Sequence, residues 1–235
     1  MVKKIGLALL IAVITTGGVF ALDLSAGFGG TFRANFLNRI WTSDGKDYLD
    51  AMGMDEDIGN ANRIGGGFFA YFDATYVALT LGLGINDVSS ANSDLREAMK
   101  DAKMLETFTT FDIGLLGKFP IALGGFTLFP ALGVELRIPL DNVSSVDGKK
   151  SSWSDISDED LTEWMTEIWF KFGVGADIPL GQKLYLRSMF LYGFGSLSKA
   201  DSDSLDLLST MIANKKLADQ INHGFDISLA LGFKF

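Results

Sequence analysis

The stretch 224-GFDISLALGFKF-235 decides the fold, because large apolar residues alternate throughout it with small or charged residues. The odd positions hold Phe225, Ile227, Leu229, Leu231, Phe233 and Phe235, and the even positions hold Gly224, Asp226, Ser228, Ala230, Gly232 and Lys234. A helix would scatter the large residues around its circumference, whereas a strand places each set on its own face. The stretch therefore predicts a β-strand with one apolar face and one polar face.

Seven further segments show the same period of two. They span residues 22–36, 64–73, 76–85, 106–119, 126–138, 164–178 and 184–195. Tight turns at 74–75, 120–125 and 179–182 alternate along the chain with long polar loops at 37–63, 86–104, 139–163 and 196–222. Short turns at one end and long loops at the other are typical of an outer-membrane barrel whose termini are both periplasmic. We therefore predict an all-β, eight-stranded antiparallel transmembrane β-barrel, an up-and-down meander with long extracellular loops and short periplasmic turns.

The distribution of charge indicates which face of this barrel lies outside. The polar face holds Asp23, Asp73, Glu106, Asp112, Glu135, Glu167, Asp177 and Asp226, together with Arg33, Lys118, Arg137, Lys171, Arg187 and Lys234. The uncharged apolar face ends in Phe36, Trp164, Phe194 and Phe225 at the loop end, and in Phe72, Phe119, Phe126 and Phe235 at the turn end. A soluble lipocalin-like barrel, the alternative, would bury its aliphatic face and show charge outward. An uncharged face bounded by aromatic girdles favours lipid on the outside.

Composition excludes several other classes of protein. The chain has 235 residues, with 20 basic and 29 acidic residues and no cysteine. A disulfide scaffold and a cysteine zinc site are therefore impossible, and a chain with a pI of about 4.6 is a poor candidate for binding nucleic acid. The apolar content of 48% excludes a disordered chain.

Residues 1–21 have the pattern of a cleaved secretory signal peptide. Lys3 and Lys4 form a basic segment, an uncharged apolar stretch follows, and 19-VFA-21 provides a cleavage site before Leu22. We therefore predict an exported protein whose barrel domain comprises residues 22–235.

The last strand also carries a resemblance to a known family. The segment 229-LALGFKF-235 resembles the closing strand of bacterial outer-membrane barrels. This resemblance implies that Phe233 and Phe235 are read by the barrel-assembly machinery. The leader, the eight strands and the four long loops resemble the small OmpA-, OmpX- and OmpW-type barrels. The resemblance implies integration into outer-membrane lipids, with the loops outside and both termini in the periplasm.

The charged residues of the polar face predict a network inside the lumen. An unpaired buried ion costs several kcal/mol, so these side chains are expected to pair with one another. The predicted network comprises Asp23, Arg33, Asp73, Lys118, Glu135, Arg137, Lys171, Asp177, Arg187 and Lys234. Within it, Glu135 and Arg137 share one face, and Arg187 and Lys171 lie on adjacent strands near Asp177. The network acts either as a structural plug or as a selectivity ring or gate.

A group of apolar inward residues predicts a ligand pocket toward the loop end. Its members are Phe69, Phe108, Met165, Trp169, Met189 and Leu191, interspersed with glycines. The OmpW-like resemblance implies a small hydrophobic ligand for such a pocket; in the alternative, the aromatic side chains simply fill the space that the glycines leave. Pro130, in the middle of the fifth predicted strand, removes a ladder hydrogen bond, so we expect either a bulge or a lateral wall opening there.

Two functions follow from these observations. The first is a narrow channel or pocket for passive uptake of small hydrophobic molecules. The alternative is a plugged structural or surface-exposed barrel, acting as an adhesin or envelope-stabilising protein whose acidic loops, densest at 155–160, engage host or matrix partners. We expect no enzymatic activity, since the single histidine, His223, has no catalytic signature around it, and we expect no metal and no cofactor. Helical turns are predicted within the loops after Ser93 and Ser204.

Overall fold

The computed structural model describes residues 23–58, 60–90, 92–101, 104–152, 165–196 and 218–235. The predicted leader at 1–21, the acidic run at 155–160 and the helical turn after Ser204 lie outside the described residues. Within these ranges the elements are β1 (Leu24–Trp41), α1 (Ser43–Met52), β2 (Ala61–Ala74), β3 (Val77–Ser90), α2 (Ser93–Asp101), β4 (Leu105–Lys118), β5 (Ile121–Ala122), β6 (Thr127–Val146), β7 (Lys149–Ser152), β8 (Glu167–Pro179), β9 (Leu184–Gly195) and β10 (Ala218–Lys234).

The eight long strands form a closed antiparallel barrel. Each pairs with the next long strand along the chain, and β10 returns to pair with β1, from Trp41 opposite Ala218 to Ser25 opposite Lys234. The two-residue strand β5 continues the register of β4 against β6, and β7 forms a hairpin with the loop-end extension of β6. The predicted eight-stranded meander is therefore confirmed.

The outer wall of the barrel is apolar and the charged residues of the strand centres point inward. Phe28, Phe68 and Leu132 are 69%, 80% and 66% exposed on the outer face, whereas Arg33, Lys171 and other charged side chains are buried in the lumen. The soluble alternative is excluded because it requires the opposite arrangement. A closed, even-numbered antiparallel barrel with an apolar belt has the architecture of an outer-membrane barrel.

Neither described helix is long and apolar enough to cross a membrane.

Aromatic girdles bound the apolar belt at both ends. At the turn end Tyr76 packs near Phe119, with ring centroids 6.5 Å apart. At the loop end Phe36 lies 6.3 Å from Phe225, and Phe172 stacks on Phe194 at 6.5 Å. Aromatic rings at these levels suit the boundary between hydrocarbon and headgroups.

Several strands continue beyond the ends that the alternation predicts. For example, β1 runs to Trp41 and β6 runs to Val146, well into segments that the alternation assigns to loops. Trp41 faces inward and packs with Leu49 of α1, and its Nε1 donates to the carbonyl of Glu56 at 2.7 Å. Strict alternation is required only where lipid covers the outer face, so the pattern weakens above the membrane although the strands continue.

The two helices lie in the loop-end connections. The helix α2 begins at Ser93, as predicted, whereas α1 lies in a segment predicted as loop. Thr42 caps α1 by accepting a hydrogen bond from the Gly45 backbone N–H at 3.2 Å, and Gly53 ends it in the left-handed conformation at φ 68°. Thr42 and Gly53 are therefore the sequence signals for this helix, and a period of two does not reveal them.

The structure differs from the expected bulge or wall opening at Pro130. Among the described strands, Pro130 stands opposite Val174 in an unbroken register with β8. On its other side the carbonyl of Pro130 accepts the backbone N–H of Phe119 at 3.1 Å. Proline therefore removes only the hydrogen bond that a backbone N–H at position 130 would donate to Phe119, and β6 stays paired with both neighbouring strands. The shift in register between β4 and β6 lies instead at Thr109/Thr110, where β6 has the additional residue Leu140.

Candidate functional site

The inward side chains form successive layers across the lumen, and the same order of layers repeats along the strands. From the turn end upward we name a floor layer, an apolar layer, an upper network and an entrance layer. The floor layer comprises Tyr71, Asp73, Lys118, Asp177, Tyr185 and Arg187. The apolar layer comprises Phe69, Ala78, Leu116, Phe129, Ala131, Met189 and Leu191. The upper network comprises Arg33, Asp112, Glu135, Arg137, Lys171 and Asp226, and the entrance layer comprises Arg63, Phe108, Glu167 and Trp169.

The floor layer is a charge-balanced cluster of two cations and two carboxylates. Arg187 Nη2 lies 2.5 Å from Asp73 Oδ2, and Arg187 Nε lies 2.7 Å from Asp177 Oδ1. A second Arg187–Asp177 hydrogen bond, from Nη2 to Oδ2 at 2.7 Å, makes this pair bidentate. Lys118 Nζ completes the cluster at 2.6 Å from Asp73 Oδ2.

Two tyrosines lie across the lumen beside these ion pairs. The Tyr71 hydroxyl donates to the Tyr185 hydroxyl at 2.9 Å, and the Tyr185 hydroxyl lies 2.8 Å from Ser25 Oγ. Gly232 lies directly beneath both rings, where a Cβ atom would overlap the Tyr185 ring and the Tyr71 hydroxyl. Glycine is therefore required here, because Tyr185 stands directly opposite Gly232 on the neighbouring strand β9 and its ring covers this position.

Replacing Gly232 with alanine is expected to displace this tyrosine pair. Overpacking of this kind costs about 1–3 kcal/mol in the free energy of unfolding, measurable by urea titration of the refolded barrel. Gly30→Ala is the matched control, because a Cβ at this outward-facing glycine meets only the Gly67 carbonyl at 3.7 Å. A loss of unfolding free energy as small as that of the control would contradict the close contact between Gly232 and the two tyrosines.

The apolar layer separates the floor from the upper network. Phe129 is 1% exposed, and its ring lies against Gly175 on β8. Met189 and Leu191 of β9 pack in the same cluster, and Phe69 of β2 packs against it from the other side of the barrel. The layer extends across the lumen between the two groups of charges.

The upper network is a second charge-balanced cluster, formed by three cations and three carboxylates. Arg33 Nη2 lies 2.9 Å from Asp112 Oδ2 and 3.4 Å from Glu135 Oε1, and its Nε lies 3.3 Å from Asp226 Oδ1. Lys171 bridges Asp226 and Glu135, the latter at 2.6 Å. Since the charges cancel within the cluster, it offsets the cost of burying each ion.

The entrance layer joins a third ion pair to aromatic rings. Arg63 Nη1 lies 2.5 Å from Glu167 Oε1, and Trp169 Nε1 donates to Glu167 Oε2 at 2.8 Å. The Arg63 guanidinium also lies 5.2 Å from the ring centroid of Phe108. Below it, the guanidinium of Arg137 stacks 4.0 Å from the centroid of the Trp169 ring.

Eight of the ten side chains in the predicted network form ion pairs in the lumen, but they lie in two separate clusters. Arg33, Glu135, Arg137 and Lys171 lie in the upper network, and Asp73, Lys118, Asp177 and Arg187 lie in the floor layer. Asp23 and Lys234 instead lie exposed at the turn-end rim.

Two further placements differ from those that the sequence predicts. Lys171 pairs in the upper network and not near Asp177, because the inward positions between them, Gly173 and Gly175, span the whole apolar layer. Arg63 falls within a predicted loop, whereas the structure places it on the early part of β2 and in the lumen. Arg63 has the same inward parity as Gly65 and Gly67, and extending the alternation by one position would have found it.

The six residues of the predicted ligand pocket do not form one pocket. Phe69, Met189 and Leu191 lie in the apolar layer, whereas Phe108 and Trp169 lie in the entrance layer, on the other side of the upper network. Met165 lies half-buried just before β8. Four inner glycines leave no empty space, because an aromatic ring lies against each of them. The pairs are Gly27 with Tyr71, Gly232 with Tyr185, Gly175 with Phe129 and Gly195 with Trp169.

The concavities of the described barrel are unequal in size and position. A groove of about 750 Å³ lies on the lipid-facing wall, where Gly30, Ala176 and Ser188 are small outward residues. Inside the lumen, a cavity of about 50 Å³ lies between the upper network and the apolar layer. The larger space therefore belongs to the outer surface and not to the predicted lumen pocket.

His223 lies on the outer wall at the loop-end girdle. Its Nε2 lies 2.8 Å from Asn38 Nδ2 and its Nδ1 lies 2.9 Å from the Tyr192 hydroxyl. Within the described ranges, no group of three or more histidine, aspartate or glutamate side chains is arranged to hold a metal ion.

Comparisons with known proteins show limited similarity. No protein-family model matches the chain, and no curated protein matches it. Among solved structures, it is similar to Neisserial surface protein A, with a TM-score of 0.44, 12% identity, and coverage of 90% of this chain and 99% of that one. It is also similar to Ail, the attachment invasion locus protein of Yersinia pestis, with a TM-score of 0.39, 10% identity, and coverage of 91% of this chain and 99% of that one. A major outer membrane protein from Thermus thermophilus is similar with a TM-score of 0.40, 12% identity, and coverage of 89% of this chain and 99% of that one.

Proposed function

We propose that this chain is a closed outer-membrane barrel that anchors surface loops and conducts no solute through its lumen. The observation that carries the proposal is the stack of layers inside the barrel. Two charge-balanced clusters lie above and below a packed apolar layer, so side chains obstruct the lumen at each of these three levels. An eight-stranded barrel is just narrow enough for side chains to fill it in this way.

The size of the internal cavity argues against uptake of hydrophobic molecules through the lumen. Sites for small molecules usually enclose about 300–1,000 Å³. The cavity inside this barrel measures about 50 Å³, and its upper boundary is charged. A hydrophobic solute that enters from the loop end would have to displace the paired ions of the upper network, which is costly.

The loop end is the proposed functional surface. The segment around α1 carries the exposed acids Asp44, Asp47, Asp50, Asp55 and Glu56. We propose that this end faces the exterior, that both termini are periplasmic, and that the acidic loops engage host or matrix partners. Negative charge at the surface would favour basic partners over acidic ones.

We further propose that the closing strand is the assembly signal. Phe233 and Phe235 project from the outer wall, where they are 44% and 72% exposed. The backbone N–H of Phe235 bonds to the Leu24 carbonyl at 3.0 Å, so the last residue lies at the seam where the two ends of the barrel close. Side chains exposed at this seam are available to the barrel-assembly machinery before closure.

Single-channel recording tests the proposed closure. Residues 22–235, refolded and reconstituted in planar bilayers, are expected to show no discrete openings, because packed side chains close the lumen. Heat-modifiable migration on a gel verifies that the same preparation has folded. Discrete openings of the folded barrel that an apolar detergent suppresses would instead support uptake through the lumen.

A further inference from the structure

The small cavity inside the lumen has an unusual lining. Hydroxyl-bearing Thr31, Thr80 and Ser228 contribute to its wall, and Arg33 and Asp112 of the upper network lie at its upper side. Its lower side is formed by Phe69 and Met189 of the apolar layer. The cavity is therefore polar above and apolar below.

Two residues that line this cavity, Asp112 and Arg33, are only 7% and 3% exposed. Each carries a buried polar atom with no hydrogen-bond partner among the described residues, Oδ1 of Asp112 and Nη1 of Arg33. A buried polar atom without a partner costs about 1–3 kcal/mol. Ordered water relieves this cost where a polar cavity offers at least about 10–15 Å³, so a cavity of about 50 Å³ has room for more than one water molecule.

The lower side of the cavity is formed by apolar side chains. Phe69 packs against the cluster that contains Met189, and it also packs against Tyr71, Tyr185 and neighbouring Ala230 below. Polar and charged groups recur immediately beneath, at the Arg187–Asp73 pair. An apolar partition thus separates two polar compartments.

We propose that the cavity is a site for a cluster of water molecules, and that Phe69 and Met189, not the ion pairs, seal the lumen against water and ions. Ion pairs exchange partners with water, whereas an apolar constriction excludes water by dewetting. The ion-pair clusters then order the interior, and the apolar partition closes it. This inference rests on the proposed function, since it identifies the seal of a lumen taken to be closed.

The test is the ion conductance of a barrel from which both side chains of the partition have been shortened. Phe69→Ala with Met189→Ala is expected to join the water site to the floor and to raise the ionic leak by about tenfold or more over wild type. Phe72→Ala with Phe190→Ala is the control, because both side chains lie on the lipid-facing wall of the same two strands and neither lines the cavity. Heat-modifiable migration verifies folding of each variant.

The outcomes separate this inference from the proposed function. A wild-type barrel that conducts would overturn the proposed closure itself. A silent wild type with a folded but equally silent double variant would overturn only the assignment of the seal. The seal would also be misassigned if Asp112→Asn alone opened the barrel as far as the double variant, since the ion pairs would then form the barrier.

Discussion

Replacing Arg33 with methionine is expected to lower the free energy of unfolding by about 3–5 kcal/mol, because the partners of a buried ion pair are left uncompensated. The Arg33 guanidinium faces Asp112, Glu135 and Asp226, and its side chain is 4% exposed. Without it, three carboxylates share only two cations. Methionine retains the length and much of the volume of arginine, so the loss reports charge and hydrogen bonding and not an empty cavity.

Urea titration of the refolded barrel in detergent micelles measures this loss. Lys46→Met is the control, since Lys46 forms an exposed ion pair with Glu56 at 2.6 Å, and exposed pairs contribute about 0–1 kcal/mol. A second substitution, Asp112→Asn in the Arg33→Met background, restores the balance of charge. It is expected to recover roughly 0.5–3 kcal/mol, the range of coupling energies between contacting residues.

The result that contradicts this account is a loss for Arg33→Met no larger than that for Lys46→Met. The lumen charges would then be hydrated strongly enough to tolerate an unpaired carboxylate. An absence of recovery in the double variant would mean that the loss comes from the shape of the arginine side chain and not from its charge.

The alternation of residues predicts which side chains enter the lumen, but not which of them meet. Inward placement follows from parity alone, since successive residues of a strand point to opposite faces. Pairing depends also on strand stagger, which no local pattern encodes. Lys171 shows the difference. The alternation of its neighbours along β8 places it on the inner face, whereas its contact with Glu135 depends on the register between β6 and β8.

The filling of the lumen is likewise beyond prediction from single strands. Gly27 and Gly232 lie on β1 and β10, and the rings that lie against them belong to β2 and β9. In sequence these glycines indicate only missing side chains, and hence empty space. The space is occupied because side chains from neighbouring strands lean over it, which depends on the closed barrel. The predicted pocket is therefore misplaced, whereas the strand positions themselves are correct.

Replacing Leu229 with arginine tests the orientation of the whole wall. Leu229 is 56% exposed on the outer face of β10, midway between Phe225 of the loop-end girdle and Phe233 near the turn end. Arginine at the midplane of a transmembrane barrel costs about 2–4 kcal/mol, and the cost falls to about 0–1 kcal/mol near the interface. We therefore expect a loss of about 2–4 kcal/mol for Leu229→Arg in lipid bilayers, measured by urea titration of the barrel refolded in vesicles.

Ile221→Arg provides the matched control for this experiment. Ile221 is 41% exposed on the same face of the same strand, but it lies above His223 and the loop-end girdle. Both substitutions remove a branched aliphatic side chain and add the same charge, so the difference between their losses isolates membrane depth from strand propensity. Equal losses at the two positions would mean that lipid does not cover the centre of the outer wall, because only a low-dielectric environment at Leu229 makes the same guanidinium more costly there than at Ile221.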